Sequence, residues 1–271
     1  MTSGSTPVLA LHCSGAGPKQ WRGLASRLGL ERPFLGPSLF GAPGGPVWEG
    51  ARAFTLAEEA APLLRLIDEV GRPVHLVGHS YGGGVALHLA LARPNRVASL
   101  SLYEPSAFHL LKMLGAAGVG PFAEIAGIAR AVAGRLAIGD RAAAMEIFVD
   151  YWGGSGDWAS LPMEKRTGLL AWASKAALDF HALFEEPSRP DALKACRIPS
   201  FILRGATSPE PSRVVAEQLA AMLPAARLSV VEGAGHMGPF THRETVETAI
   251  VAHIERVEGA HAARPDWKTA A

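Results

Sequence analysis

The sequence predicts an α/β fold: a mostly parallel, doubly wound sheet with an inserted helical cap. Short apolar runs alternate with helical segments before residue 107 and again after residue 190. This alternation is typical of parallel sheets that are covered by helices on both faces. Between these two parts, residues 108–189 show only helical periodicity, so a block of about 80 residues interrupts the sheet domain.

The segments before residue 73 follow this alternation. They are a strand at 7–11, a glycine-rich turn at 12–18, a helix at 21–28, an extended piece at 32–37, a Gly/Pro-rich loop at 41–45 and a helix at 55–70. Thr55 is the predicted N-cap of that helix, because Glu58 follows three residues later and completes a capping box.

The most informative segment is Gly78–Gly82, which has the pattern Gly-x-Ser-x-Gly around Ser80. The apolar run at 73–77 predicts a buried strand, and the alanine-rich run at 85–92 predicts a helix. A serine on a tight strand-to-helix turn has an exposed hydroxyl. It also lies at a helix N-terminus, where backbone N–H groups and the helix dipole favour a developing negative charge. Ser80 is therefore the candidate nucleophile.

The remaining segments complete the sheet domain. A strand at 97–103 ends at Glu104-Pro105, and after the helical block come a strand at 198–205, a helix at 212–223, a strand at 226–231 and a helix at 241–257. We therefore expect a sheet domain made of residues 7–107 and 190–257 and a helical cap made of residues 108–189. Flexible tails are expected at 1–6 and 258–271.

Composition and charge narrow the class of partner. The chain has 271 residues, is 48% hydrophobic and carries a formal net charge of +1, from 26 basic and 25 acidic side chains. This balance argues against nucleic acid, and the expected partner is a small-molecule substrate. We expect no membrane span and, because the first residues do not resemble a signal peptide, a cytoplasmic location. The oligomeric state stays open, with a homodimer as one candidate.

The cysteines and histidines predict neither a disulfide nor a metal site. Cys13 and Cys196 are far apart in the sequence, and the expectation is two reduced thiols. The ten histidines show no paired ligand spacing. We therefore expect no metal and no cofactor.

A nucleophilic serine needs a base, and His236 is the best candidate. It lies in the glycine-rich loop 233–238, directly after the last predicted strand. In a parallel sheet the loops that follow strands gather at one edge, so His236 and Ser80 are expected at the same edge. A neutral imidazole there accepts the serine proton and returns it to the leaving group.

A tetrahedral oxyanion needs two N–H donors near the nucleophile. One is expected from Tyr81, the residue after the nucleophile. The other is expected from the turn after the first strand, where the backbone N–H of Ser14 is the candidate. The glycines of this turn fit a plain strand-to-helix connection equally well, so its assignment depends on that of Ser80.

Taken together, these motifs resemble the α/β-hydrolase superfamily: a strand with a His-x-x-Gly turn, a Gly-His-Ser-Tyr-Gly-Gly elbow, a helical insertion and a late Gly-Ala-Gly-His. The resemblance covers residues 7–257. It implies a sheet of that fold and a serine hydrolase, but it does not define a substrate, because the superfamily spans esterases, lipases, lactonases, C–C bond hydrolases, peptidases and perhydrolases.

One position departs from the family pattern. The resemblance places the acid of the triad in a Gly-x-x-Asp turn, and the matching segment 205–208 ends in Ser208. Two carboxylates are candidates instead. We favour Glu104, because it ends the strand next to that of the nucleophile and Pro105 restricts its backbone to an extended form. Glu210 is the alternative acid, and a third option is a histidine oriented by a carbonyl or by water.

The substrate pocket is expected to be apolar and to lie between the sheet and the cap. Its candidate residues are Phe108, Trp152 and Met237. The expected function is hydrolysis of a small, largely apolar ester, lactone or thioester through an acyl-enzyme on Ser80. The alternatives are a C–C bond hydrolase that cleaves a diketone, a perhydrolase, and a binding protein on the same fold that has lost turnover.

Overall fold

The fold is built around one parallel sheet. A computed structural model of the chain describes residues 5–50 and 53–262. Its strands are β1 Val8–Leu11, β2 Phe34–Leu35, β3 Val74–His79, β4 Val97–Tyr103, β5 Ser200–Gly205 and β6 Ala226–Val231. They pair in the order β2-β1-β3-β4-β5-β6, and every pairing is parallel. The sequence prediction of the fold class is thereby confirmed.

Helices cover both faces of the sheet. Those of the sheet domain are α1 Arg22–Leu28, α2 Leu56–Val70, α3 Tyr81–Ala92, α9 Glu210–Met222, α10 Gly238–Thr241 and α11 Arg243–Ala262. Successive strand residues point to opposite faces, so Val8 and Leu9 belong to different cores. Helices α1 and α11 pack on the face of Val8, and α2, α3 and α9 pack on the face of Leu9.

The cap lies between β4 and β5. Its helices are α4 Ala116–Ala137, α5 Arg141–Gly153, α6 Asp157–Ser160 and α7 Met163–Phe184, and α8 Pro190–Ala195 leads back to the sheet. Aromatic side chains of the cap, among them Phe148, Trp152 and Trp172, belong to the same core as the sheet face of Leu9. The cap is therefore packed on the edge of the sheet domain.

Helix α4 differs from the expectation that no segment could cross a membrane. By length and composition it passes that test, as the one helix that does so within the part of the chain the structure describes. In the fold, however, it packs into the cap and buries Ile125, Ala129 and Val132.

The C-terminal boundary also differs from the prediction. Helix α11 runs to Ala262, so residues 258–262 are helical and do not form a tail. Glu258 accepts hydrogen bonds from the guanidinium of Arg32 at 2.7 and 2.9 Å, and this ion pair fixes the end of the helix against the start of the sheet domain. The rest of the predicted tails, residues 1–4 and 263–271, lies outside the described residues.

Candidate active site

Ser80 lies on a sharp turn between β3 and α3. Its backbone has φ 54° and ψ −120°, a conformation that is strained for a residue with a side chain. The turn is tight enough to exclude side chains on both flanks: a Cβ at Gly78 would lie 2.6 Å from the Gly82 carbonyl, and one at Gly82 would lie 2.4 Å from the His12 carbonyl. The two glycines of the motif are thus required by close backbone approach.

The structure brings His236 to this turn. Its Nε2 lies 2.9 Å from Ser80 Oγ, and its Nδ1 lies 2.6 Å from Glu104 Oε2. All three side chains are buried, with exposed fractions of 7%, 2% and 1% for Ser80, His236 and Glu104. With the ring proton on Nδ1, facing the carboxylate, Nε2 accepts the Ser80 hydroxyl. This is the geometry of a nucleophile, a base and an orienting acid.

Glu104 directly follows β4 and has φ 43°, so the expectation that Pro105 holds its backbone in an extended form is wrong. Its direction is fixed instead by this uncommon backbone conformation. Its Oε1 accepts the Gly205 N–H at 2.6 Å and the hydroxyl of Ser208. Ser208 therefore stands where the family pattern has an aspartate, and there it donates a hydrogen bond to the acid from β4. The alternative acid, Glu210, is exposed at the first residue of α9.

The two candidate oxyanion residues flank the nucleophile. Tyr81 is the first residue of α3, where a backbone N–H has no acceptor within the helix. In the turn after β1, the N–H of Cys13 donates to Gln20 Oε1 at 3.0 Å, which leaves Ser14 as the donor expected to face the substrate. Ser14 and Tyr81 line the same small pocket as Ser80.

One buried connection between these loops was missed in the sequence. His79 accepts a hydrogen bond from Gln20 Nε2 at 3.0 Å and donates to the carbonyl of His236 at 2.9 Å. Burial lowers the pKa of His79 well below its usual value, so the ring is neutral and fits these two roles. The histidine loop and the turn after β1 are thus joined beneath the site.

Aromatic side chains of the cap close the site from above. The Trp152 ring lies over the imidazole of His236, with centroids 4.1 Å apart. Of the three predicted pocket residues, Trp152 lines the pocket, whereas Phe108 stacks behind it at 6.3 Å and Met237 is half-buried beside His236. The cavity next to Ser80 measures about 10 Å³, room for one water molecule, so side chains of the cap must move to admit a substrate.

The pocket is less apolar than the sequence suggested. Asp179, from the cap helix α7, lines it and accepts the hydroxyl of Ser14 at 2.5 Å. Behind it, Lys175 binds Asp179 and lies 3.0 Å from Glu59 Oε2, which also accepts the Tyr81 hydroxyl at 2.8 Å. We call Ser14, Glu59, Tyr81, Lys175 and Asp179 the buried ion cluster. Helical periodicity alone does not predict this cluster, because periodicity does not show which helix face meets the sheet edge.

Within residues 5–50 and 53–262, no group of three or more His, Cys, Asp or Glu side chains could hold a metal ion. Cys13 is buried beside the site, but burial raises the pKa of its thiol to about 12, so it is not a thiolate nucleophile.

A larger cavity of about 840 Å³, lined among others by Arg72, Pro94 and Arg197, contains neither Ser80 nor His236.

Comparisons with known proteins agree with this fold. A sequence model of the alpha/beta hydrolase family matches residues 8–249. Lipase LipV of Mycobacterium tuberculosis is 41% identical over 105 residues, which are 38% of this chain and 39% of that lipase, so the match spans well under half of the relative.

Two solved structures share the architecture over most of their length. A thermophilic esterase from Thermogutta terrifontis superposes with a TM-score of 0.72 at 22% identity, covering 93% of this chain and 90% of the esterase. The esterase EaEST from Exiguobacterium antarcticum has a TM-score of 0.70 at 18% identity and covers 93% of both chains. At these identities the likeness concerns the fold.

Proposed function

Because the chain belongs to the alpha/beta hydrolase family, we propose that it is a cofactor-free serine hydrolase that cleaves a small, largely apolar ester, lactone or thioester. The observation that supports this is the hydrogen-bonded series from Glu104 through His236 to Ser80, with distances of 2.6 and 2.9 Å. The names of the similar lipase and esterases point to the same class of bond.

The first half of the reaction forms an acyl-enzyme. Ser80 Oγ attacks the substrate carbonyl while its proton passes to His236 Nε2, and the carbonyl π electrons move onto the oxygen. The N–H groups of Ser14 and Tyr81 stabilise that oxyanion. The intermediate collapses, the bond to the leaving group breaks, and the imidazolium gives its proton to the departing alcohol or thiol.

The second half releases the acid. A water molecule gives a proton to His236 Nε2 and attacks the acyl carbon, and the new tetrahedral intermediate expels Ser80 Oγ, which regains its proton from the imidazolium. Glu104 stabilises the imidazolium in both halves, and the Gly205 N–H and Ser208 hydroxyl keep its carboxylate in place.

The aromatic lining of the pocket supports an apolar substrate, because Phe148, Trp152 and Phe180 surround the space next to Ser80. The small volume of that space supports a short acyl group. A lipid-sized chain requires that the cap move further than a small ester does.

Labelling with a fluorophosphonate tests the proposal, since the probe reacts with an activated serine and mimics the tetrahedral intermediate. We expect one adduct on the wild type at neutral pH, on the peptide that contains Ser80, together with turnover of p-nitrophenyl acetate. Ser80→Ala should abolish both. Ser106 is a matched control for the labelled position, because its Oγ lies 3.3 Å from Ser80 Oγ, and Ser106→Ala should still be labelled. A folded wild type that is not labelled contradicts the proposal.

A further inference from the structure

The buried ion cluster connects the cap to both candidate oxyanion residues. We propose that Asp179 is a positioning residue for the oxyanion hole: its carboxylate holds the turn of Ser14, so that docking of cap helix α7 completes the hole. The inference rests on the function proposed for Ser80 and adds a means by which the cap controls the same site.

Helix α7 packs directly on the turn after β1. Gly15 in that turn has φ 69°, and a Cβ there would lie 2.7 Å from Leu169 Cδ2 and 3.4 Å from the Trp172 ring. Asp179 follows these residues at helical spacing and lies on the same face. The turn is therefore shaped against the cap helix as well as against the sheet.

The hydrogen bond from Ser14 to Asp179 is short and partly buried. Ser14 Oγ donates to Asp179 Oδ2 at 2.5 Å, and Asp179 is 4% exposed. A hydrogen bond to a carboxylate is stronger than one between neutral groups, and it fixes the χ1 angle of the serine. Since Oγ is three covalent bonds from the backbone nitrogen of Ser14, fixing the side chain also limits where the N–H points.

The second oxyanion residue is tied to the same cluster. The Tyr81 hydroxyl donates to Glu59 Oε2 at 2.8 Å, and Lys175 Nζ lies 3.4 Å from that hydroxyl and 3.0 Å from the carboxylate. Helix α7 contributes Lys175 and Asp179, whereas Glu59 and Tyr81 belong to α2 and α3 of the sheet domain. Cap and core thus meet at the two residues that flank the oxyanion.

The charges of the cluster argue for a role beyond stability. Two carboxylates, Glu59 and Asp179, face one ammonium, that of Lys175, and burial raises the pKa of Asp179 to about 6. A buried carboxylate that is not fully compensated weakens the folded state, so an apolar or neutral side chain at position 179 is compatible with folding. Its presence in the wall of the pocket is explained by the turn that it holds.

A double-mutant cycle between Ser14 and Asp179 tests the proposal. Ser14→Ala keeps the backbone N–H and removes the hydroxyl, and Asp179→Leu keeps the shape and removes the acceptor. We expect each to lower both kcat on p-nitrophenyl acetate and the rate constant of fluorophosphonate labelling by about 10- to 100-fold with little change in KM. Both substitutions break the same hydrogen bond, that between Ser14 and Asp179. The double variant should therefore be no slower than the slower single variant.

Two further variants separate positioning from general packing. Asp179→Asn keeps a hydrogen-bond partner for Ser14, because its amide oxygen must face the Lys175 ammonium and its NH2 group then donates to Ser14 Oγ. We expect it to recover most of the rate that Asp179→Leu loses. Glu186 is the matched control, because it is also a buried carboxylate at the cap boundary but binds His88 at 3.0 Å. Glu186→Gln should label at the rate of the wild type.

The outcomes distinguish this inference from the proposed function. A wild type that is not labelled overturns the function and the inference together. A labelled wild type whose Asp179→Leu variant is equally fast, or whose two substitutions multiply in the double variant, overturns the inference alone. If Asp179→Leu does not fold, Ser14→Ala still tests the inference. A Ser14→Ala variant that is labelled as fast as the wild type excludes a role for this hydrogen bond.

Discussion

Replacing Glu104 by glutamine changes one atom and is expected to change the protonation of His236. The Gly205 N–H and the Ser208 hydroxyl both donate to Oε1, so the amide oxygen of Gln must take that place. The amide NH2 then faces His236 Nδ1 at the position now held by Oε2, 2.6 Å away. An NH2 group donates only, so Nδ1 must accept and the ring proton moves to Nε2.

The wrong tautomer removes the base. With its proton on Nε2, the imidazole cannot take the proton of Ser80, and such a change costs about 10³- to 10⁴-fold in kcat for a triad of this kind. This equals about 4 to 5.5 kcal/mol in the activation free energy. KM should change little, because Glu104 does not line the substrate pocket.

Steady-state hydrolysis of p-nitrophenyl acetate by Glu104→Gln measures this effect. Glu210→Gln is the matched control, because Glu210 is the other candidate acid and is exposed at the start of α9. We expect the control to retain wild-type activity within about twofold. A kcat of Glu104→Gln within tenfold of the wild-type value refutes the tautomer argument. A loss of kcat that is larger in Glu210→Gln than in Glu104→Gln overturns the choice of acid.

Three further predictions address the supporting structure. Ser208→Ala removes one of the two donors to Glu104 Oε1 and should lower kcat about three- to tenfold with KM unchanged, whereas an unchanged kcat speaks against its role. Gly82→Ala should lower the free energy of unfolding in urea by about 2 kcal/mol or more, since the new Cβ would meet the His12 carbonyl at 2.4 Å, and a variant as stable as the wild type contradicts this. The pKa of Asp179 rises on folding from 3.8 to about 6, so the folded state binds that proton more tightly and wild-type stability falls as pH rises through this range. The melting temperature of Asp179→Asn minus that of the wild type should therefore increase between pH 4 and about 7. A difference that stays constant over this range refutes the prediction.

The residues that lie next to strand ends could be predicted from the sequence. Ser80 and Glu104 directly follow strands, and His236 lies in the loop after the last strand. Parallel strands bring such positions to one edge of the sheet. The choice of Glu104 over Glu210 used this rule together with an extended backbone expected from Pro105, and the φ of 43° at Glu104 shows that the second ground was wrong. The sequence did not show that Ser208 would become a donor to the acid, because that depends on a distance between two neighbouring loops.

The residues contributed by long-range packing could not be predicted. Ser14 and Asp179 are 165 residues apart in the chain and meet because α7 lies across the turn after β1. Glu59 lies in the first turn of α2 and is nevertheless buried against Lys175. Helical periodicity shows that a segment has an apolar face but not which partner covers it, so the polar wall of the pocket was missed.

The end of the last helix was misplaced for a similar reason. The polar, small-residue composition after Val257 predicts a loose tail when each residue is judged alone. In the structure Glu258 pairs with Arg32, and this contact with the opposite end of the sheet domain extends the helix. Local composition does not report such a partner.

The proposed triad depends on the hydrogen bond between His236 Nδ1 and Glu104, and proton NMR observes that bond directly. A short N–H···carboxylate bond shifts its proton far downfield of the amide region, where ¹⁵N labelling of histidine assigns it to a ring nitrogen. We expect such a resonance in the wild type and in Glu210→Gln, and we expect its loss in Glu104→Gln. A downfield Nδ1 proton that persists in Glu104→Gln, or that disappears in Glu210→Gln, contradicts the proposed triad.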